Sequence, residues 1–192
     1  MLQHSRAANQ RSAVCLNGSS SLASSGHRRG RRSPRPAEQG VGPDDAAIRV
    51  VTDFTWESPV VIEPGCSIDE ALRTMMRAGV RALLVMRDEA VIGLITSYDI
   101  QGERPLQFLR ASNYLRHDEI EVGHIMTPWN RVVTIDWPLL GTMRVSELQT
   151  FLSATGTTHV VAVEESDQEY VVVRGLISRT RLERQLSHRR EV

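Results

Sequence analysis

Lysine is absent from this 192-residue chain, and all 23 basic side chains are arginines. A phosphate-binding loop of the Gly-Lys-Ser/Thr kind is therefore excluded. Cysteine occurs only as Cys15 and Cys66, with no Cys-x-x-Cys pair and no histidine nearby at ligand spacing. Neither a disulfide framework nor a zinc site follows from such a pattern, and reduced thiols in a cytoplasmic setting are expected. No stretch approaches the roughly 18 consecutive apolar residues that a membrane-spanning helix needs, and the start lacks the compact apolar core of a secretory signal. The protein is expected to be soluble and to have no membrane association. Its six histidines (His4, His27, His117, His124, His159, His188) are scattered, without a His-x-x-x-His pair, and there is no Gly-x-Ser-x-Gly elbow. No nucleophile, base or metal cluster assembles from these motifs, so an enzyme is not expected.

Net charge is lacking too: the formal value at pH 7 is 0. Its distribution is uneven. Seven arginines (Arg6, Arg11, Arg28, Arg29, Arg31, Arg32, Arg35) precede the first acid, Glu38, which leaves 16 arginines against 23 acids, about −7, for the remainder. The globular part is mildly acidic, so nothing in it argues for nucleic-acid or membrane-surface binding. Residues 1–45 are rich in Ser, Arg, Gly and Pro and carry neither helical nor strand periodicity. Such a composition buries too little apolar surface to offset chain entropy, and a disordered Arg/Ser-rich tail is expected. The same stretch also resembles an organelle transit peptide, which would give an organellar location, although it lacks an apolar helical face. Salt-sensitive contact with nucleic acid is a third reading, without an aromatic residue to stack on a base.

What the chain does have, at 41% hydrophobic residues, is a repeat. Val60-Val61-Ile62 matches Val132-Val133-Thr134 at an offset of 72. Ile68, Ala71, Met75 and Gly79 match Val145, Leu148, Leu152 and Gly156 at an offset of 77, and Gly93-Leu94-Ile95-Thr96 matches Gly175-Leu176-Ile177-Ser178 at 82. The offset grows near Ile135 to Met143 and again within Glu164 to Glu169, both between expected elements, as insertions into a duplicated fold should.

In the first copy, Val60-Val61-Ile62 reads as a short strand, and Ser67-Ile68-Asp69-Glu70 as a capping box that starts a helix. The helix carries Ile68, Ala71, Leu72, Met75 and Met76 on one stripe and stops at Gly79, because glycine accepts a left-handed backbone. Ala82 to Met86 and Ala90 to Ile95, separated by Arg87-Asp88-Glu89, read as a hairpin of buried strands, and a second helix starts at Thr96. The unit is β-α-β-β-α, too small to stand well alone. The expected fold class is α/β (α+β): two tandem β-α-β-β-α units packed with pseudo-two-fold symmetry. The expected segments are a tail over 1–45, a first copy over 46–110, a connector over 111–121, a second copy over 122–187 and a C-terminal end over 188–192. Trp56, Trp129 and Trp137, near the start of each copy, read as packing anchors, and His159 as a core or satisfied surface histidine.

Three stretches carry a family resemblance: Gly79-Val80-Arg81-Ala82-Leu83-Leu84-Val85, then Val91 to Asp99, then Val122-Gly123-His124-Ile125-Met126-Thr127-Pro128. Together, over about residues 50 to 187, they resemble the CBS domain in its tandem form, the Bateman module. The resemblance implies a non-catalytic regulatory module that binds an adenosine compound (AMP, ADP, ATP or S-adenosylmethionine) between paired motifs and modulates a partner protein. It implies a Thr/Ser-x-x-Asp/Asn turn after a glycine, matched here by Thr96 and Asp99 after Gly93. A carboxylate such as Asp99 can accept both hydrogen bonds of a ribose diol, and the Thr96 hydroxyl can donate to a phosphate. Arg81 stands where family members often direct a basic residue at phosphate, and Val60 and Val61 would wall the adenine. Thr-x-x-Asp at a helix start is also a plain cap, contributing about 1 kcal/mol without any ligand.

The second copy keeps Ser178, but Arg181 stands in place of Asp99 and Thr158 in place of Arg81. A guanidinium has no acceptor, so this second site is degenerate, with one ligand per chain expected. Arg181 also sits where the helix dipole disfavours a cation. The connector region, with Leu106, Phe108, Leu109, Tyr114 and Leu115 among charges, reads as an amphipathic helix followed by a polar link. Family pairs dimerise through such helices, so a homodimer is expected. The alternative to a nucleotide sensor is a ligand-free interaction or dimerisation module whose nucleotide site has decayed.

Overall fold

A computed structural model describes residues 14–16, 40–111, 116–166 and 170–188. The chain divides into two compact units that do not follow chain order: one is Pro59–Val132, and the other joins Met1–Ser58 to Val133–Val192. The opening segment of each copy therefore belongs to the unit that carries the strands and helices of the other copy.

Strand β1 (Val14–Leu16), a 3-10 turn at Ala47–Val50 and strand β2 (Thr52–Asp53) come first along the chain. The first unit in sequence then runs β3 (Val61–Ile62), α1 (Ile68–Ala78), β4 (Ala82–Arg87), β5 (Ala90–Thr96), α2 (Ser97–Gln101), α3 (Arg104–Ala111), α4 (Val122–Ile125) and β6 (Thr127–Pro128). Its sheet pairs β3 parallel to β4, β4 antiparallel to β5, and β5 antiparallel to the short arm strand β6. The second copy supplies β7 (Thr134–Asp136), α5 (Trp137–Thr142), α6 (Val145–Thr155), β8 (His159–Glu165), β9 (Val171–Ser178) and α7 (Arg179–His188). Its sheet pairs β7 parallel to β8, β8 antiparallel to β9, and β9 antiparallel to the arm strand β2.

Helix α1 forms as its sequence expects. Ser67 accepts a hydrogen bond from the Glu70 N–H at 3.2 Å, Gly79 closes the helix at φ 68°, and Ile68, Ala71 and Met75 are buried. Met76 departs from the expected stripe and is 74% exposed. At 3.6 residues per turn it stands about 80° around the helix from Ile68, at the edge of the apolar face. The hairpin turns on Asp88 and Glu89, both left-handed at φ 49° and 65°, a pair that suits the twist of the flanking strands.

The two units repeat each other in detail. The β4–β5 register shifts between Val85 and Met86, and the β8–β9 register between Ala162 and Val163, the same place in each copy. The Val60 carbonyl accepts from the Leu84 N–H at 3.1 Å, and the Val133 carbonyl from the Val161 N–H at 3.0 Å. Val60 thus corresponds to Val133, not Val132, and the offset at this strand is 73. A one-residue slip is decided by the ladder, because it would turn every side chain to the other face. Each unit has its own core, around Ile68, Leu83, Val85 and Ile95 in one and Leu140, Leu148, Val160 and Ile177 in the other.

Two expectations about the start of the chain change. Within the supposed tail, Val14–Leu16 pairs parallel to β9 with Val14 buried, since Val-Cys-Leu is an apolar triplet able to extend a sheet. Val41 lies in the core and its N–H donates to the Gln185 carbonyl at 3.2 Å, so packing begins before residue 46. The rest of the tail, 1–13 and 17–39, lies outside the described residues, as do Tyr114 and Leu115 of the connector and 189–192 of the C-terminal end. The connector's helix is α3, where Phe108 stacks on His124 with ring centroids 4.5 Å apart. Trp129 is buried and Trp137 lies under Arg174, but Trp56 is 82% exposed and anchors nothing by burial. Its turn is folded by Asp53, whose carboxylate accepts from the Thr55 N–H at 2.7 Å and hydroxyl at 2.6 Å.

Candidate functional site

The Thr96–Asp99 turn is set by where β5 ends and how closely the arm approaches it. At Gly93 a Cβ would lie 2.6 Å from the Thr127 carbonyl oxygen, so only glycine lets β6 pair there. Three residues on, Thr96 caps α2 and is 6% exposed. Its hydroxyl accepts from the Asp99 N–H at 3.2 Å and donates to Asp99 Oδ2 at 2.8 Å. The same Oδ2 accepts from the Thr96 N–H at 2.8 Å. The capping box is thus fully formed, and the single hydroxyl proton of Thr96 is committed to Asp99 rather than turned outward.

The second carboxylate oxygen of Asp99 faces Arg104. Oδ1 lies 3.0 Å from Arg104 Nη1, with the aspartate side chain 13% and the arginine 44% exposed. That nitrogen also donates to the Ile125 carbonyl at 2.8 Å and to the Thr127 hydroxyl at 3.0 Å. Arg104 stands five residues past Asp99, at the start of α3, and no spacing rule for the turn points to it. Arg81 is exposed, its carbonyl accepts from the Ser97 N–H at 2.9 Å, and its Nη1 lies 3.5 Å from the Tyr98 hydroxyl. Tyr98, itself half exposed, is a second neighbour of the turn that sequence reading passed over. Val60 packs against the core edge, and Val61 is 41% exposed. Thr96, Asp99, Arg81, Val60 and Val61 therefore all lie in the Pro59–Val132 unit.

The counterpart turn in the second copy is built differently. Gly175 mirrors Gly93: its Cβ would lie 2.6 Å from the Thr52 carbonyl oxygen, which makes Thr52 the counterpart of Thr127. Arg181, in place of Asp99, donates to the Thr52 hydroxyl at 2.6 Å. The Thr158 carbonyl accepts from the Arg179 N–H at 2.9 Å, as the Arg81 carbonyl accepts from Ser97, and Ser178 pairs across the ladder with His159. His159 is buried, with Nδ1 3.0 Å from the Thr158 hydroxyl. Among the described residues there is no group of three or more His, Cys, Asp or Glu placed to hold a metal ion, and no helix is long and apolar enough to cross a membrane.

A β-α-β-β-α unit present twice, with the opening arm of each copy paired to the long hairpin of the other, defines a duplicated α/β module. Residues 51–104 match the CBS domain family. The match falls on the first copy, and the second copy repeats the same hairpin bulge and arm pairing. Solved structures share the fold. An uncharacterized conserved protein from Pyrococcus horikoshii is 21% identical, with a TM-score of 0.51 over 75% of this chain and 93% of its own. CBSX2, a CBS-pair protein of Arabidopsis thaliana, solved in complex with AMP, is 19% identical, with a TM-score of 0.50 over 76% and 98%. The CBS domain of a bacterial CNNM/CorC family Mg2+ transporter, solved in complex with ATP, is 13% identical, with a TM-score of 0.50 over 76% and 89%. No curated protein sequence matches the chain.

Proposed function

We propose that the protein is a regulatory module that binds an adenosine nucleotide at the Thr96–Asp99 turn and modulates a partner protein according to occupancy. The observation that carries this reading is the partly exposed Asp99 carboxylate, fixed by the Thr96 capping box, with Arg81 and Tyr98 beside the same turn. A carboxylate offers about four acceptor positions, of which Thr96 takes two on Oδ2, so ribose hydroxyls would meet Oδ1, which faces Arg104. Neighbours of the same fold solved with AMP and with ATP support the ligand class. S-adenosylmethionine and ADP belong to the same proposal, as do a cytoplasmic homodimer and a regulated protein distinct from this chain. Occupancy can act on a partner only by favouring one of two arrangements of the module.

Titration calorimetry of the full chain with AMP, ATP and S-adenosylmethionine, beside Asp99→Asn, tests the reading. Asparagine keeps an acceptor for the Thr96 N–H but gives up the charge, so ligand affinity should fall about tenfold or more. Binding unaffected by Asp99→Asn would put the site elsewhere. Absence of both heat and thermal stabilisation at millimolar ligand would favour a second reading, a ligand-free interaction module. The feature in its favour is Arg181, which already bonds Thr52 where a nucleoside site requires an acid.

A further inference from the structure

We propose that Arg104 is a built-in competitor for Asp99, and that a ribose diol taking this carboxylate disconnects the Ile125–Thr127 arm from the turn. The inference rests on the nucleotide reading above and names how the same site is regulated. Thr96 already fills two acceptor positions on Oδ2, and Arg104 holds Oδ1 at 3.0 Å. Both hydroxyls of a diol cannot bond the carboxylate while the guanidinium keeps its full share. Arg104 Nη1 carries two hydrogens and faces three acceptors: Asp99 Oδ1, the Ile125 carbonyl and the Thr127 hydroxyl. Of the three, only the carboxylate is charged, and charge-assisted bonds are roughly twice as strong as neutral ones. Removing it leaves a half-exposed arginine held by two neutral groups, and the arm loses its link to α2.

The second unit shows what the link is for. Thr52 and Thr127 occupy the same place, each with its carbonyl against the glycine of a hairpin strand. Each threonine hydroxyl accepts from an arginine, Thr52 from Arg181 at 2.6 Å and Thr127 from Arg104 at 3.0 Å. Arg181 stands at the Asp99 position itself and reaches its arm directly. Arg104 reaches its arm while tied to a carboxylate that a ligand can take. One arm is fastened permanently, and the other through a bond that ligand binding replaces.

The test uses the full chain, with AMP and ATP as probes, and compares wild type with Arg104→Met and Arg104→Lys by calorimetry and by hydrogen exchange over residues 125–130. Removing a partly exposed ion-pair competitor should tighten binding about three- to fivefold in Arg104→Met, with Arg104→Lys near wild type. Exchange in the arm should rise with AMP in wild type. In Arg104→Met it should be raised without AMP and show no further response. Binding by Arg104→Met that equals or falls below that of wild type, or an arm whose exchange ignores both AMP and the substitution, overturns the competitor while leaving the nucleotide reading in place. If neither wild type nor Arg104→Met binds either nucleotide, both fall together.

Discussion

Asp99 divides its two carboxylate oxygens between a helix cap and an ion pair. Its Oδ2 closes the capping box with Thr96, and its Oδ1 is engaged by Arg104, so a substitution here alters the helix start as well as any ligand. Cys66 gives a cleaner chemical readout. Burial pushes the Cys66 thiol above its ordinary value of 9.0, with the charges of Glu70 and Glu63 adding to the rise against a backbone hydrogen bond that lowers it. The folded protein therefore binds this proton more tightly than the unfolded chain does. The resulting contribution is fully present below about pH 9 and is lost as pH rises through the folded value. Iodoacetamide labelling of the Cys15→Ser variant should show a half-maximal pH above 9.0, and guanidinium unfolding should give a midpoint that declines across that window. A labelling profile centred at or below 9 would contradict the burial argument. At this scale the sequence showed Thr96 and Asp99 as a pair, because a cap and a diol acceptor are both local patterns. Arg104 was invisible, since its role depends on the arm returning beside α3, more than twenty residues further along the chain.

The elements were legible wherever hydrophobic period and stop signals agreed, as in α1 between Ser67 and Gly79 and in the two long hairpins. The exchange of arms was not, because β2 and β6 have two residues each and no periodicity to read. Their trace in the sequence is the pair of glycines, Gly93 and Gly175, which a repeat comparison aligns without saying why they are small. The structure supplies the reason: a Cβ at Gly93 would meet the Thr127 oxygen at 2.6 Å, and one at Gly175 would meet the Thr52 oxygen at 2.6 Å and Val51 Cγ1 at 2.7 Å. Gly93→Ala and Gly175→Ala should each cost about 1–3 kcal/mol, typical of overpacking, because the obstructing oxygens belong to the backbone. Gly141→Ala is the control. Gly141 lies in α5 with nothing within 4 Å of its would-be Cβ, and alanine there should stabilise by up to about 1 kcal/mol. Urea midpoints for the three variants decide the matter. A Gly93→Ala protein as stable as wild type would mean that β6 does not approach β5 this closely.

For the molecule as a whole, duplication fixes the framework and the unequal turns fix what each half can do. The two units repeat their hairpin bulge, their arm pairing and the carbonyl bond that opens the helix after the hairpin. They differ in the chemistry offered at that helix. Asp99 presents acceptors, whereas Arg181 presents donors already directed at Thr52. A ribose diol needs acceptors, and no rotation of a guanidinium supplies them. If the Thr96–Asp99 turn is the nucleotide site, the module should take one nucleotide per chain, even though its fold contains the turn twice. Arg181→Ala sharpens the expectation. Loss of the bond to Thr52 should destabilise the protein by about 1 kcal/mol, while AMP affinity and stoichiometry stay as in wild type, because the proposed site is the other turn. Calorimetry of both proteins reads the two quantities together. A stoichiometry near two per chain, or AMP binding abolished by Arg181→Ala in a protein that remains folded, would show that the second turn recognises nucleotide by chemistry other than diol acceptance, and the division of labour between the copies would have to be redrawn.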